Sequence, residues 1–345
     1  MAGRLLTLQD AAKLRSKIAD KFNFGANSNI EREWWYLSGF FWDTGDEENL
    51  SDGNKYIPEI GIHVAFFHLQ KGDIQSLITH ASITDTKQKK YIHEANSIRF
   101  PSLKASEVIS VDTLEIKLNR WSLIERTRRK WLLSFQAEER KIDLTLTVPD
   151  ALWLHGDNGV YRRKDGYATF YYSIPFIEAK GEVLDLRRGG KKKISGSLWY
   201  DHEIGPKVEN NSWKWFSLRF TDGTVYMLYF FADKKTQSLF EKFSQKESKG
   251  VFLSTTLSHI EVHSKKKTKL KSGNTYSTMF EIAYTDDATG KTGVFIVDSV
   301  MSEQEFYVQD NESTVGYWEG IVRCTKIEEG KRVEGFGYVE DKPLW

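Results

Sequence analysis

Residues 196–206 form the densest group in this sequence that could perform acid–base chemistry, and they read GSLWYDHEIGP. On a β-strand, Trp199, Asp201 and Glu203 lie on one face and His202 on the other, because successive side chains alternate. Carboxylates among aromatic rings are costly to bury as anions, so one of the two would keep its proton and could serve as a general acid. The same residues could instead form a structural, hydrogen-bonded corner that ties strand ends together.

A second cluster, residues 31–36, alternates acidic and aromatic side chains as EREWWY. On a strand, Glu33 and Trp35 point one way, while Trp34 and Tyr36 point the other way. These residues could line a ligand pocket. The alternative is a strand whose aromatic side chains simply fill the core.

A third group, Tyr171, Tyr172 and Ser173, offers hydroxyl groups on both faces of a strand shortly before Pro175. A tyrosine in a pocket wall can orient a ligand through its hydroxyl group or stabilise a developing cation through its ring face.

Several other kinds of active site have no counterpart in the sequence. It contains no glycine-rich phosphate loop and no G-x-S-x-G nucleophile motif, and its one cysteine, Cys324, has no partner signature. The eight histidines are scattered; His63 and His68, for example, are five residues apart and would face opposite sides of a strand. The sequence therefore predicts neither a metal site nor a bound cofactor.

Strand-like segments must position these clusters. The clearest alternation lies in residues 140–148, where apolar and polar side chains take turns, and similar short runs continue to the C-terminus. Only the first two dozen residues look helical, with apolar residues three or four apart and Thr7 as a possible N-cap. The pattern predicts an all-β fold of antiparallel meanders with one short N-terminal helix.

The length of 345 residues exceeds that of a usual single domain, so we expect two. Residues 186–193, LRRGGKKK, join two strand-like runs and could be a hairpin tip or a domain hinge. We place the boundary near residue 180. The predicted units are an N-terminal helical segment (residues 1–24), a first β domain (25–180) and a second β domain (181–345).

Composition narrows the range of partners. Aromatic residues make up 14% of the chain and include eleven Trp, which favours sheets and an aromatic-lined cavity for an apolar small molecule. A net charge of +1 argues against a nucleic-acid partner. No apolar run is long enough to span a membrane, and the N-terminus does not look like a secretory signal, so we expect a cytoplasmic protein without stable membrane insertion. The oligomeric state stays open.

Six sequence blocks match a known family in order. They are EWWY (33–36), HASITD (80–85), FYYSIP (170–175), GSLWYDHE (196–203), YWEG (317–320) and GFGYVE (335–340). On these blocks the chain resembles the hydroxyneurosporene synthase-like or AttH-like family, which includes bacterial carotenoid 1,2-hydratases and natural-product cyclases of the Diels-Alderase kind. The resemblance implies two consecutive lipocalin-like β-barrel domains and a large apolar substrate at their interface.

Two positions depart from the family pattern. Ile204 stands where the family usually has Trp, and His68 stands where it often has Arg. The resemblance places both near the mouth of the pocket, so the ligand could differ from a long carotenoid.

Together these observations predict a cofactor-independent enzyme of secondary metabolism that hydrates or cyclises an apolar polyene, isoprenoid or polyketide. A protein that only carries a lipophilic ligand is the alternative. Asp201 and Glu203 are the expected acid and base, with His202 as an alternative proton carrier. The expected substrate-binding residues are Glu33, Trp34, Trp35, Tyr36, His63, Phe67, His80, Tyr171, Tyr172, Ser173, Trp199, Trp213, Trp215 and Tyr317.

Overall fold

The computed structural model describes residues 7–27, 30–44, 57–162, 168–206, 212–231, 238–244, 250–309 and 314–342. In these ranges the chain is almost entirely β-structure. The exceptions are one α-helix, α1 (Leu8–Arg15), which continues as a π-helical turn (Ser16–Asp20), and a 3-10 segment (Ser102–Glu107). The predicted all-β fold with a short N-terminal helix is confirmed.

The strands of the first sheet are β1 (Arg32–Asp43), β2 (Ile60–Lys71), β3 (Ile74–Asp85), β4 (Lys90–Pro101), β5 (Glu115–Leu118), β6 (Trp121–Thr127), β7 (Lys130–Ala137), β8 (Arg140–Thr147), β9 (Ala151–Leu154), β10 (Val160–Arg162), β11 (Ala168–Asp185) and β12 (Gly190–Gly205). The sheet is antiparallel along its main path, in the order β4-β3-β2-β1-β12-β11-β8-β7-β6-β5. Its two ends approach each other where β4 contacts β5 and β7, which gives it a barrel-like form.

The second sheet closes on itself as a barrel, because β21 pairs with both β22 and β19. Its strands are β13 (Trp213–Phe220), β14 (Thr224–Phe231), β15 (Leu239–Ser244), β17 (Thr255–Lys269), β18 (Thr275–Asp286), β19 (Thr292–Ser299), β20 (Glu305–Gln309), β21 (Thr314–Glu328) and β22 (Lys331–Lys342). A short strand from this half, β16 (Gly250–Leu253), instead joins the first sheet, in parallel with β9.

Three apolar cores follow from this arrangement. One fills the first sheet and one fills the second. The third lies between the sheets and consists largely of aromatic side chains from β1, β11, β12, β13 and β14. Gly61 on β2 allows close contact here, because a Cβ atom at this position would lie 2.4 Å from the Ile321 side chain of β21. The central strands of the first sheet are therefore buried on both faces.

The segment 186–193 belongs to a hairpin. Asp185 accepts hydrogen bonds from the backbone N–H groups of Arg187 and Arg188 at 3.1 and 2.9 Å, and Gly189 supplies the positive φ of 71° that the turn needs. The boundary predicted near residue 180 lies inside β11. The chain passes between the sheets after Gly205, so we propose a domain boundary between β12 and β13.

The N-terminal helix begins as the sequence predicts. The Thr7 hydroxyl oxygen accepts a hydrogen bond from the Asp10 backbone N–H at 3.1 Å, and the Asp10 carboxylate accepts one from the Thr7 backbone N–H at 3.0 Å. Leu14 and Ile18 then pack into the core of the first sheet. Among the residues described, no helix is long and apolar enough to cross a membrane.

Candidate active site between the two sheets

The outer face of the first sheet meets the outer face of the second, and we call the buried region between them the inter-sheet site. Tyr36 on β1 approaches Trp215 on β13, with ring centroids 5.3 Å apart, and Trp199 on β12 lies 5.8 Å from the same indole. The predicted residues that face this region are Trp34, Tyr36, His63, Phe67, His80, Tyr171, Ser173, Trp199, Asp201, Glu203, Trp213, Trp215 and Tyr317.

The other four predicted residues, Glu33, Trp35, Tyr172 and His202, lie in the interior of the first sheet. Alternation along β1 and β12 turns them away from the inter-sheet site, as the sequence predicted for Asp201 and His202. We therefore do not place His202 with Asp201 as a proton carrier.

These interior residues form a polar group, the Glu33 cluster, whose hydrogen bonds are well satisfied. The Glu33 carboxylate accepts hydrogen bonds from the backbone N–H and the side-chain amide of Asn27, both at 2.9 Å, and lies 3.0 Å from His68 and 3.3 Å from His202. Burial alone would raise the pKa of Glu33, but the hydrogen bonds and charges of the two histidines outweigh it and lower that pKa to about 2. Tyr172 completes the cluster through a 2.8 Å hydrogen bond with His202.

The two departures from the family pattern also lie in this interior. Ile204 is fully buried in the core of the first sheet, and His68 contacts Glu33 and Gln75. Both side chains therefore point away from the inter-sheet site, because alternation along β2 and β12 turns them into the first sheet.

Asp201 is the polar centre of one end of the inter-sheet site. Its carboxyl group accepts hydrogen bonds from the indole N–H of Trp199 at 2.6 Å, from the Tyr171 hydroxyl at 2.8 Å and from the Ser173 hydroxyl. Burial raises the pKa of Asp201 to about 6, although the neighbouring His155 and these hydrogen bonds partly oppose the shift. About half of Asp201 is therefore protonated at pH 6 and about one-tenth at pH 7.

A chain of buried polar groups connects Asp201 to the second sheet. His155, which follows β9, lies with Nε2 2.5 Å from the Ser173 hydroxyl oxygen and with Nδ1 in contact with Glu241 of β15. The other oxygen of Glu241 accepts a 2.9 Å hydrogen bond from the Gly156 backbone N–H. Sequence reasoning missed His155 and Glu241, because they are 86 residues apart and no local pattern joins them.

Two glutamates form a second polar group in the site. Glu319 on β21 and Glu340 on β22 are directly paired across the two strands. Tyr36 donates a hydrogen bond of 2.6 Å to Glu319, and the Trp213 indole N–H donates one of 2.6 Å to Glu340. Burial and the neighbouring Glu340 raise the pKa of Glu319 well above its ordinary value, and burial raises the pKa of Glu340 to about 7.

The two glutamates lie in the YWEG and GFGYVE blocks, but neither was predicted to be a site residue. Alternation could have identified them. Glu319 lies two residues after Tyr317, and Glu340 lies two residues after Tyr338, so each glutamate shares a face of its strand with a tyrosine.

Two histidines of the first sheet face these glutamates. His63 Nδ1 lies 3.0 Å from Glu319 Oε2, but the two groups are not aligned as a hydrogen bond and neither atom has another partner. Burial and the neighbouring His80 lower the pKa of His63 well below its usual range. His80 lies 3.0 Å from the Tyr317 hydroxyl, and burial lowers its pKa to about 3, so both imidazoles are neutral at neutral pH.

The inter-sheet site contains many buried polar atoms without a hydrogen-bond partner. Such atoms are normally satisfied by protein, water or ligand, so their concentration in one place indicates bound water or a bound molecule. Among them are atoms of His63 on the first sheet and of Trp215, Ser217 and Glu319 on the second sheet.

The edge of the site is more exposed than its centre. Glu203 forms an ion pair with Arg32, with 2.7 Å between Oε1 and the guanidinium; the Glu203 side chain is buried, and that of Arg32 is 18% exposed. Trp34 and Phe67 are partly buried beside them. This edge is where a ligand could enter. Within the described ranges, no group of three or more His, Cys, Asp or Glu side chains is arranged to hold a metal ion.

Comparison with known proteins agrees with this architecture. A candidate AttH from Nitrosomonas europaea superposes with a TM-score of 0.72 at 21% identity, over 92% of this chain and 94% of that one. Kievitone hydratase from Nectria haematococca gives 0.67 at 18%, over 93% and 91%. CghA gives 0.54 at 11%, over 91% and 88%. At these identities the similarity shows the fold. No curated protein sequence matches the chain. The family model described as AttH-like matches residues 21–340, and the chain therefore belongs to the AttH-like family.

Proposed function

We propose that this protein is an enzyme that adds water across a C=C bond of a large apolar unsaturated substrate bound in the inter-sheet site. The observation that supports this most directly is Asp201, a buried carboxyl group that keeps its proton up to a pH of about 6 in an aromatic setting. Family membership and the fold shared with kievitone hydratase are consistent with such a reaction.

Hydration would proceed through a carbocation. Asp201 donates its proton to one alkene carbon; the π electrons form the new C–H bond and leave a cation on the other carbon. A water oxygen then adds to that carbon and returns a proton to the Asp201 carboxylate, so the net change is the addition of one water. Aromatic ring faces, those of Trp199 and Tyr171 nearest to Asp201, would stabilise the cation.

The substrate would be a polyene, isoprenoid or polyketide, since these molecules combine the apolar surface and the double bonds that the site would accommodate. Neither Asp201 nor the aromatic rings require a bound cofactor for this step. Glu203, the other predicted catalytic carboxylate, is held by Arg32 at the edge of the site, and we assign it to binding or entry instead of to proton transfer.

Cyclisation is the second candidate function. It is favoured by the three hydrogen bonds that Asp201 already accepts, which would hold this carboxyl group as a fixed part of the wall. A pericyclic cyclase needs only a surface that folds the substrate into one reactive conformer. Trp199 and Trp215, packed edge to face, would provide such a surface.

The test is to incubate the protein in oxygen-18-labelled water with kievitone or with a linear carotenoid such as lycopene, and to analyse products by mass spectrometry. A hydratase yields a product heavier by one labelled water, a cyclase an isomer of unchanged mass, and a carrier only bound substrate. We expect hydration, with Asp201→Asn lowering kcat by roughly 10²- to 10⁴-fold.

Asp143→Asn is the matched control, because Asp143 lies on β8 outside the inter-sheet site. If Asp201→Asn turns over like the unmodified protein, proton transfer from Asp201 is wrong. Retained turnover together with a large loss in Trp215→Ala would favour the cyclase.

A further inference from the structure

We propose that Tyr36, His63 and Glu319 form an oxygen subsite, which binds an uncharged hydroxyl group of the apolar substrate beside Asp201. This inference rests on the proposed function and names a feature of its substrate. The substrate would be an apolar molecule with a phenolic or alcoholic hydroxyl group, in contrast to a pure hydrocarbon.

The subsite is assembled from both sheets. Tyr36 and His63 lie on the neighbouring strands β1 and β2, and Glu319 projects from β21 of the second sheet. All three side chains are buried, with exposures of 5%, 1% and 0%. A group built across two sheets depends on how they pack, and for that reason no single sequence segment reveals it.

Unused hydrogen-bonding capacity points to a ligand. Glu319 Oε1 accepts a hydrogen bond from the Tyr36 hydroxyl at 2.6 Å, whereas Glu319 Oε2 and His63 Nδ1 face each other at 3.0 Å without an aligned hydrogen bond and have no other partner. A buried polar atom left unpaired destabilises the folded state, so such atoms are normally satisfied by water or a ligand. In the Glu33 cluster, by comparison, both carboxylate oxygens are paired with protein groups.

The charge state of the subsite selects the type of oxygen. Burial keeps Glu319 protonated and His63 neutral, because the pKa of Glu319 is raised and that of His63 lowered. Since Tyr36 donates to Oε1, the acid proton belongs on Oε2, next to the imidazole nitrogen. A ligand hydroxyl group can accept a hydrogen bond from the Glu319 carboxyl group and donate one to the His63 imidazole. A carboxylate, phosphate or ammonium group finds no compensating charge there.

The position of the subsite relates it to the reaction. Tyr36 lies directly opposite Asp201 in the β1–β12 pairing, and paired strands are about 4.8 Å apart. The substrate hydroxyl and the reacting double bond would therefore lie close together in one molecule. An oxygen anchored there would fix which double bond faces Asp201.

The experiment compares two probes that differ in one hydroxyl group, 4-hydroxystilbene and 4-methoxystilbene, by quenching of Trp fluorescence in equilibrium titrations. We expect the unmodified protein to bind the hydroxy probe roughly tenfold more tightly, since two neutral hydrogen bonds contribute about 1.4 kcal/mol. Glu319→Met and His63→Phe should each abolish this preference without weakening the binding of the methoxy probe.

Two further variants separate binding from folding. Tyr36→Phe removes only the hydroxyl group that orients Glu319, so a reduced preference is expected even if the larger changes unfold the protein. Glu334→Met is the matched control, because Glu334 on β22 accepts a hydrogen bond from Thr325 outside the subsite. It should keep the tenfold preference.

Equal affinity of the unmodified protein for the two probes, or no binding of either, overturns the oxygen subsite, and so does a preference that survives Glu319→Met. The proposed function fails by a different result, the absence of any product with unmodified protein. Hydration without a hydroxyl preference would refute only the subsite, and a hydroxyl preference without turnover would refute only the enzyme.

Discussion

The Glu33 cluster and the inter-sheet site are two groups of buried carboxyl side chains carried on opposite faces of the same strands. Glu33 lies next to Trp34 on β1, and His202 lies next to Asp201 on β12. In the interior, every oxygen of Glu33 is paired with protein donors and its pKa falls to about 2. Between the sheets, the pKa of Asp201 rises to about 6.

The difference teaches how to separate structural from functional acids in a fully buried sheet. A carboxylate surrounded by donors is stabilised as an anion and holds elements together; Glu33 fastens the segment around Asn27 to the first sheet. A carboxyl group that is buried without enough donors or positive charge to offset the cost of burial keeps its proton to a higher pH and can bind or react as the acid. Glu319 belongs to the second kind.

The largest expected effect is the loss of stability in Glu33→Gln. In the variant, the amide N–H₂ group would face Asn27 or His68. In the unmodified protein, both of these residues donate hydrogen bonds to the Glu33 carboxylate. Breaking a buried charged group of this kind costs about 3–5 kcal/mol of unfolding free energy. Urea unfolding followed by fluorescence measures it, with Glu319→Gln as the comparison, expected within about 1 kcal/mol of the unmodified protein. Equal losses in the two variants would contradict the distinction between the clusters.

The second-largest expected effect is on the pH dependence of the unfolding free energy. Its sign is opposite to that of a carboxylate in an ordinary buried ion pair. Between the unfolded pKa near 4 and the folded pKa of about 6, the folded state holds the Asp201 proton more tightly than the unfolded state does. The stabilisation is therefore complete below pH 4 and is lost as the pH rises through 6. The loss amounts to about 3 kcal/mol.

Asp201→Asn should not show this loss. The measurement is urea unfolding at pH 4 and pH 7.5. Over this interval, the unfolding free energy of the variant should rise by about 3 kcal/mol relative to that of the unmodified protein. Asp143→Asn, on the outer face of the first sheet, should follow the unmodified protein at both values. Parallel curves for Asp201→Asn and the unmodified protein would show that Asp201 is not held protonated.

Alternation explains why part of this contrast was predictable from the sequence. Because side chains on a strand point to opposite faces in turn, the segment 196–206 already separated Asp201 from His202, and EREWWY separated Glu33 from Tyr36. The strands, the N-terminal helix and the Thr7 cap also follow from local patterns.

The assembled site did not follow from local patterns, for two physical reasons. Alternation cannot say which face of a doubly buried strand meets the other sheet, and for this reason Glu33 and His202 were expected in the pocket. The decisive contacts also join residues far apart in the chain. Tyr36 and Glu319 are 283 positions apart, and their meeting depends on the packing of one sheet on the other.

The smallest effect concerns the link that joins Asp201 to the second sheet. Glu241→Gln removes the negative charge that faces His155 and weakens the hydrogen bond from the Gly156 N–H, and hydrogen bonds to charged groups contribute about 1.5–3 kcal/mol. We expect a loss of about 2 kcal/mol in unfolding free energy at pH 7. Glu203→Gln is the comparison. Its carboxylate is buried, but Arg32 keeps 18% of its side chain in contact with solvent, so we expect a smaller loss than for Glu241→Gln.

A larger loss for Glu241→Gln than for Glu203→Gln would divide the inter-sheet site into two parts. Asp201 would then belong to an anchored part, fixed through Ser173 and His155 to Glu241, as a proton donor must be if it is to meet one carbon of a substrate. Glu319 would belong to a second part, whose unpaired buried atoms are available to a ligand. If the two losses are equal and small, His155 and Glu241 do not hold Asp201 in place, and the carboxyl group depends on Trp199 and Tyr171 alone for its position.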